Sequence, residues 1–192
     1  GFLSNTRLNI SGGDDKTKYF AGMTYKNEDG IVKNTGYERL NFRLNLDRKI
    51  SKRIDLSLSS NYMKSEADRG FFNNDNSSAT MGVSLVSTPA WAELHPDSQG
   101  NYPNNPYAPS NFLQTGALMK NNEDVNRFIA GGSLSISLYQ GNNSSLKLVG
   151  RGGLDYYTLL TTVLAPSTLQ WQKDGNGTNG ASILGTTLNT NK

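Results

Sequence analysis

The 192-residue sequence predicts an all-β fold: about six consecutive antiparallel strands of a transmembrane β-barrel, carrying one long extracellular loop. Three observations predict it. Apolar and polar residues alternate with a period of two in the strand-like segments, which gives each strand one greasy and one wet face. The connections alternate strictly between short and long, the rule of brief periplasmic turns and extended outer loops in membrane barrels. No stretch approaches the ~18 consecutive apolar residues of a membrane helix, and a mean hydropathy of -0.56 suits a wall whose inner face is polar.

Taken in order, residues 5–12 form a weak first strand (Leu8 and Ile10 on its apolar side), closed by the tight turn Gly12 to Asp15. The second, 17–26, alternates through Tyr19, Ala21, Met23 and Tyr25. The third, 37–47, is the clearest: Leu40, Phe42, Leu44 and Leu46 face one way, Arg39, Asn41, Arg43, Asn45 and Asp47 the other. A basic stretch, Arg48 to Arg53, leads into the fourth strand, 53–63, with Ile54, Leu56, Leu58 and Tyr62 set against Asp55, Ser57, Ser59 and Asn61. After the loop 64–124, the fifth strand, 126–139, sets Ala130, Leu134, Ile136 and Leu138 against Ser133, Ser135 and Ser137. Past Gln140 to Asn143, the sixth, 145–157, sets Leu146, Leu148 and Leu154 against Lys147, Arg151 and Asp155. From Thr158 onward the sequence reads as another long connection.

Most of these strands are long enough to cross a tilted bilayer path. Charges such as Arg39, Arg43, Asp55, Lys147, Arg151 and Asp155 would be costly against lipid but suit a watery lumen. Tyr25, Tyr37, Tyr62, Tyr139 and Tyr156 fall near strand ends, where an interfacial aromatic girdle belongs. About eight strands are the minimum for closure, and open edges are not tolerated in lipid. Six strands, no charged-then-apolar leader at Gly1 and an end within a loop at Lys192 therefore lead us to expect a fragment.

Several motifs resemble those of SusC/RagA-type TonB-dependent outer-membrane transporters. Asn9 to Phe20 (NISGGDDKTKYF) resembles the family's S-G-G-x-x-K-T-x-Y-[FY] segment near the start of its barrel. Tyr25 to Ile31 resembles its Y-x-x-x-x-G-I element, and Gly36 to Asp47 its Y-x-R-x-N-x-R-x-N-L-D strand. Ile50 to Leu56 matches the turn that follows, and Pro89, Asp97, Gly100, Tyr102, Asn105 and Pro106 resemble a signature of the large loop. The resemblance covers most of residues 5 to 156. It implies a 22-stranded barrel with an N-terminal plug in the Gram-negative outer membrane. It also implies a SusD-like surface lipoprotein partner, the TonB-ExbB-ExbD system acting through the plug, and oligosaccharides, glycans or peptides as substrates. Neither the plug nor the TonB-contacting segment falls within these residues.

Other functions find less support. Acidic and basic residues are interspersed in a net charge of +3, so no nucleic-acid-binding stripe is expected. There is no cysteine, hence neither disulfides nor thiolate metal sites. His95 is the single histidine; with Glu93 and Asp97 alone it makes a poor metal site or catalytic base. Asn73 to Asn76 offers one carboxylate and no closing Glu for a calcium loop. The glycine pairs Gly12–Gly13 and Gly131–Gly132 lack a phosphate-loop context. The Asn-x-Ser/Thr triplets at Asn9, Asn76, Asn142, Asn143 and Asn176 carry no meaning in a bacterial barrel. We therefore expect no enzyme, cofactor or metal. The binding candidates are the loop aromatics Phe71, Phe72, Trp91, Tyr102, Tyr107 and Phe112, because loops beyond about fifteen residues are usually functional or disordered. The expected lumen-facing polar set is Arg39, Asn41, Arg43, Asn45, Asp55, Lys147, Arg151 and Asp155. Two rival readings are a non-energised porin or secretion-associated barrel, and a soluble β-sandwich glycan-binding or adhesion module.

Overall fold

A computed structural model describes residues 1–72 and 79–172 in full and the backbone of 183–191. The chain forms one antiparallel sheet in which every strand pairs with its sequence neighbour: β1 (Leu3–Gly13), β2 (Thr17–Asp29), β3 (Gly36–Ser51), β4 (Ile54–Asp68), β5 (Lys120–Gln140), β6 (Ser145–Leu164) and β7 (Ile183–Asn191). This simple meander is what short hairpin turns dictate. Asp14 organises the first turn, its Oδ1 accepting from the amides of Lys16 and Thr17 at 2.8 and 2.7 Å. The two hydrogen bonds hold its carboxyl below the ordinary aspartate range, with Lys16 the larger cause. The other short connections are Lys52–Arg53 and Gly141–Ser144. The calcium-loop reading at Asn73 to Asn76 and the triplet at Asn176 lie outside the described residues.

The structure departs from the sequence reading at the strand ends. β4 runs on to Asp68 and β5 begins at Lys120, so the loop expected over 64–124 is confined to 69–119. Lys64, Glu66 and Asp68 pair with Asn126, Asp124 and Asn122. These residues are polar on both faces, so they carry no alternation to read. β6 likewise continues through Thr158–Leu164 to pair with β7, where a long connection was expected. There Thr and Leu occupy both faces, and the period is again lost.

Register fixes the faces, since directly paired residues point to the same side. On the apolar face one row crosses the sheet as Met23, Phe42, Tyr62, Phe128 and Tyr156, each the direct partner of the next. Towards the long-connection end this face turns acidic in the row Glu38, Glu66 and Asp124. Tyr25, Tyr62 and Tyr156 lie on the apolar face, as does Tyr139, which a bulge between Ser137 and Tyr139 turns to partner Leu146. Tyr37 is different: it shares the polar face, with the Lys26 ammonium 5.5 Å from its ring centroid. On β5 and β6, Gly131 pairs with Gly153 and Gly132 with Gly152, leaving a patch two strands wide with no side chain on either face.

Candidate functional site

Nearly all the buried residues lie in the segments beyond the long-connection end. Two short helices form there, α1 (Met81–Ser87) and α2 (Phe112–Leu118). Asn111 caps α2: its Oδ1 accepts from the amides of Leu113 and Gln114, as orphan donors at a helix start require. Its Nδ2 donates to the carbonyls of Leu94 and Pro103 at 3.0 and 2.8 Å, so one side chain ties the cap to two turns of the preceding loop. Asn105 donates to Thr88 Oγ1 and the Ser110 carbonyl. Gln170, in a single 3-10 turn after β6, donates to the carbonyls of Asn105 and Ala108 and accepts from the Asn105 amide. Gln114 completes the staple, donating to the Thr168 carbonyl and accepting from the Gln170 amide.

Under this amide network sits a small apolar core of Met119, Ala165 and Leu169, flanked by Phe71, Leu118, Val163 and Trp171. Phe71 stacks on Trp171 with ring centroids 5.5 Å apart. The structure thus divides the six loop aromatics. Phe71 is committed to packing. Phe72, Tyr102 and Phe112 line a cleft of about 620 Å³ between the β2–β3 connection and the two helices, with Ile31, Met81 and Leu85 on its walls. Trp91 and Tyr107 meet edge to face at 5.3 Å on the outer surface, and Trp91 is 75% exposed. These five present accessible aromatic surface; Trp171, which sequence reasoning missed, carries the packing role that the bare aromatic count hid.

His95 is exposed, its Nδ1 2.7 Å from Glu93 Oε1. The His95 amide donates to the same oxygen, and this bond first, then the ring contact, lowers the Glu93 carboxyl below its usual range. Asp97 closes the next turn, accepting from the amides of Asn101 and Gln99, and its carboxyl is lowered for that reason. Both carboxylates are structural acceptors. Among the described residues, no group of three or more His, Cys, Asp or Glu is placed to hold a metal ion.

The eight polar wall residues fall on one face of the sheet, as their spacing requires. Arg39, Asn41, Arg43 and Asn45 line β3; Asp55 is on β4, and Lys147, Arg151 and Asp155 are on β6. Asp155 is gripped by Arg127 through two hydrogen bonds, Nε to Oδ1 at 3.0 Å and Nη2 to Oδ2 at 2.5 Å, the planar fork that suits a carboxylate. Arg7, Lys26 and Arg127 share this face and were not singled out from sequence, although their parity with Asn9, Thr24 and Ser133 marks them.

No family model matches the chain. It is 30% identical over 79 residues to TonB-dependent receptor P26 of Formosa agariphila, and 41% identical over 58 residues to TonB-dependent receptor P3 of the same organism. These matches take in 41% and 30% of the chain but only 8% and 6% of the relatives, so the chain spans under a tenth of their length. Among solved structures, it superposes on a chain of the RagAB peptide importer in the closed-closed and open-open states. The TM-score is 0.63 at 18% identity in both, covering 84% and 86% of this chain and 18% of the importer chain. The chain thus has the fold of a strand segment of that importer and resembles TonB-dependent receptors of the SusC/RagA type.

Proposed function

We propose that this chain is part of the wall and outer loop of an energised outer-membrane importer, which takes up oligosaccharides, glycans or peptides with a SusD-like surface lipoprotein as partner. The observation that carries this reading is the unmatched apolar face. Leu44, Leu58, Leu148 and Leu154 are each roughly half exposed, on one continuous side of a sheet whose other side is polar. In water such a surface would aggregate; against hydrocarbon it is the stabilising face, and the opposite face becomes a wet lumen. The aromatic row then lies near the interface, and the acidic row beyond it clears the membrane on the extracellular side.

In this reading the wall sets the polarity of the passage, and the stapled loop offers Phe72, Trp91, Tyr102, Tyr107 and Phe112 to arriving substrate or to the partner lipoprotein. Phe71 supports the loop from beneath. TonB, with ExbB and ExbD, would act through a plug lying outside these residues, and no catalytic step is assigned to any side chain. The test is to express the full-length protein containing this chain and follow it into the membrane. Outer-membrane fractionation with heat-modifiable migration on gels is the expected result. Recovery of a folded monomer without detergent would overturn the membrane reading. Uptake that persists without TonB would overturn the energised one and leave a porin.

A further inference from the structure

The polar face carries more cations than carboxylates, and the carboxylates on it are already matched. Near the short turns, Lys18 stands directly opposite Asp47, and Lys49 opposite Asp55. Toward the long connections, the carboxylates on this face already hold cations. Glu28 pairs with Lys26, Glu123 with Arg69 and Asp155 with Arg127. Four guanidinium groups on this face remain: Arg7 on β1, Arg39 and Arg43 on β3, and, apart from these and nearer the short turns, Arg151 on β6. None has a carboxylate within ion-pair distance among the described residues; Arg7, Arg39 and Arg43 lie together, and the Nε of Arg39 is shielded from solvent without a hydrogen-bond partner. Arg39 and Arg43 are four residues apart, roughly 13 Å along a strand. Arg7 partners Thr24, which partners Asn41 between them, so the three cations form a triangle spanning the three strands β1 to β3, with Asn41 midway along its β3 edge.

The geometry points to a binding strip for an anionic oligosaccharide, one bearing carboxylates or sulfates at intervals along its length. This rests on the proposal that the polar face lines the passage. Arginine is the side chain suited to it, since the planar fork matches carboxylate and sulfate oxygens and stays charged at every working pH. Three separated cations favour an extended ligand over a single small anion. Asn41 supplies a donor and an acceptor for hydroxyl groups between the charges. The exposed edge-to-face pair of Trp91 and Tyr107 on the outer surface offers apolar ring faces for pyranose stacking. Charges in a concave low-dielectric wall also concentrate counter-ions and draw such a ligand inward.

The test uses the full-length protein in detergent, with calorimetric titration of oligogalacturonate, a neutral maltooligosaccharide of equal length, and oligoglutamate. We expect oligogalacturonate to bind most tightly. The triple variant R7Q/R39Q/R43Q should lose about tenfold of that affinity and leave any neutral binding unchanged. The Arg→Lys triple, which keeps the charges, should retain most of it. Raising the salt from about 0.05 to 0.5 M should weaken the anionic ligand alone. Equal affinity for the neutral sugar, or a Gln triple that binds as wild type, overturns the strip. Preference for oligoglutamate, lost in the Gln triple, keeps the cationic strip and overturns the saccharide. Heat-modifiable migration of every variant shows that it has folded; a protein that migrates so yet fails these titrations refutes this inference while leaving the importer reading intact.

Discussion

The wall and the cap of this molecule are stabilised by opposite means. In the cap, residues 69–72, 79–119 and 165–172, side chains are buried as in any water-soluble domain: Leu94, Ala165 and Leu169 are almost wholly enclosed, and Asn111 and Ser84 are sealed with polar partners. Among the described side chains of the wall only Ser65 and Val125 are buried, while Leu8, Leu44, Leu58, Leu148 and Leu154 stand exposed. A sheet of this kind has no core of its own. In the proposed membrane setting its partner is the medium, and the difference teaches that one chain would fold against two solvents.

That contrast can be broken most sharply at two adjacent residues. Leu44 faces the apolar side and Asn45 the polar side. Leu44→Arg should cost about 2–4 kcal/mol if it lies near the bilayer midplane, and Asn45→Arg less than about 1 kcal/mol. The check is urea titration of the folded fraction in liposomes, read by gel migration; equal costs would abolish the distinction between faces. Next in size is Phe71→Ala, which removes a half-buried ring from the stack on Trp171. We expect roughly 2 kcal/mol of local destabilisation, somewhat below the range for a fully buried Phe. Hydrogen exchange of the α2 amides should quicken while β3 and β4 amides stay protected; uniform loss across both would mean that cap and wall fold as one unit.

Asn111 sharpens the comparison within the cap. Asn111→Ala loses the helix cap and both donated bonds, for about 1–2 kcal/mol. Asn111→Asp keeps the cap acceptor but leaves the carbonyls of Leu94 and Pro103 without their donor. Exchange at Leu113 and Gln114 should therefore be faster in the Ala variant than in the Asp one. The smallest effect is electrostatic. Asp97 has a lowered carboxyl because it accepts from Asn101 and Gln99, so its contribution is complete above the ordinary value near 3.8 and is lost as pH falls through the lower folded value. Amide exchange at Gln99 and Asn101 should show the turn unchanged from pH 8 to about 4.5 and loosening only below. Loosening at a higher pH would assign the turn's stability to another group.

The wall was legible because a sheet with one apolar and one polar face imposes a two-residue period, and Arg39 to Asp47 shows it without interruption. Where the strands carry polar residues on both sides, at Lys64–Asp68 and Thr158–Leu164, the period vanishes and the ends were placed too early. The cap was legible only as a loop rich in aromatics. Its order depends on amides far apart in sequence, such as Gln170 with Asn105, which no local pattern announces. Tyr37 makes the same point in miniature: proximity to a strand end suggested the girdle, but parity places it across the sheet beside Lys26. The stack that commits Phe71 needed Trp171, a hundred residues away.

The bare patch where Gly131 meets Gly153 and Gly132 meets Gly152 bears on mechanics. Elsewhere among the described strands, side chains on both faces stiffen the sheet against folding about the strand axis. Here two neighbouring strands have nothing to compress on one side or to stretch apart on the other. Rigidity is therefore low along the β5–β6 seam, and a change in the curvature of the sheet would be concentrated there as a crease.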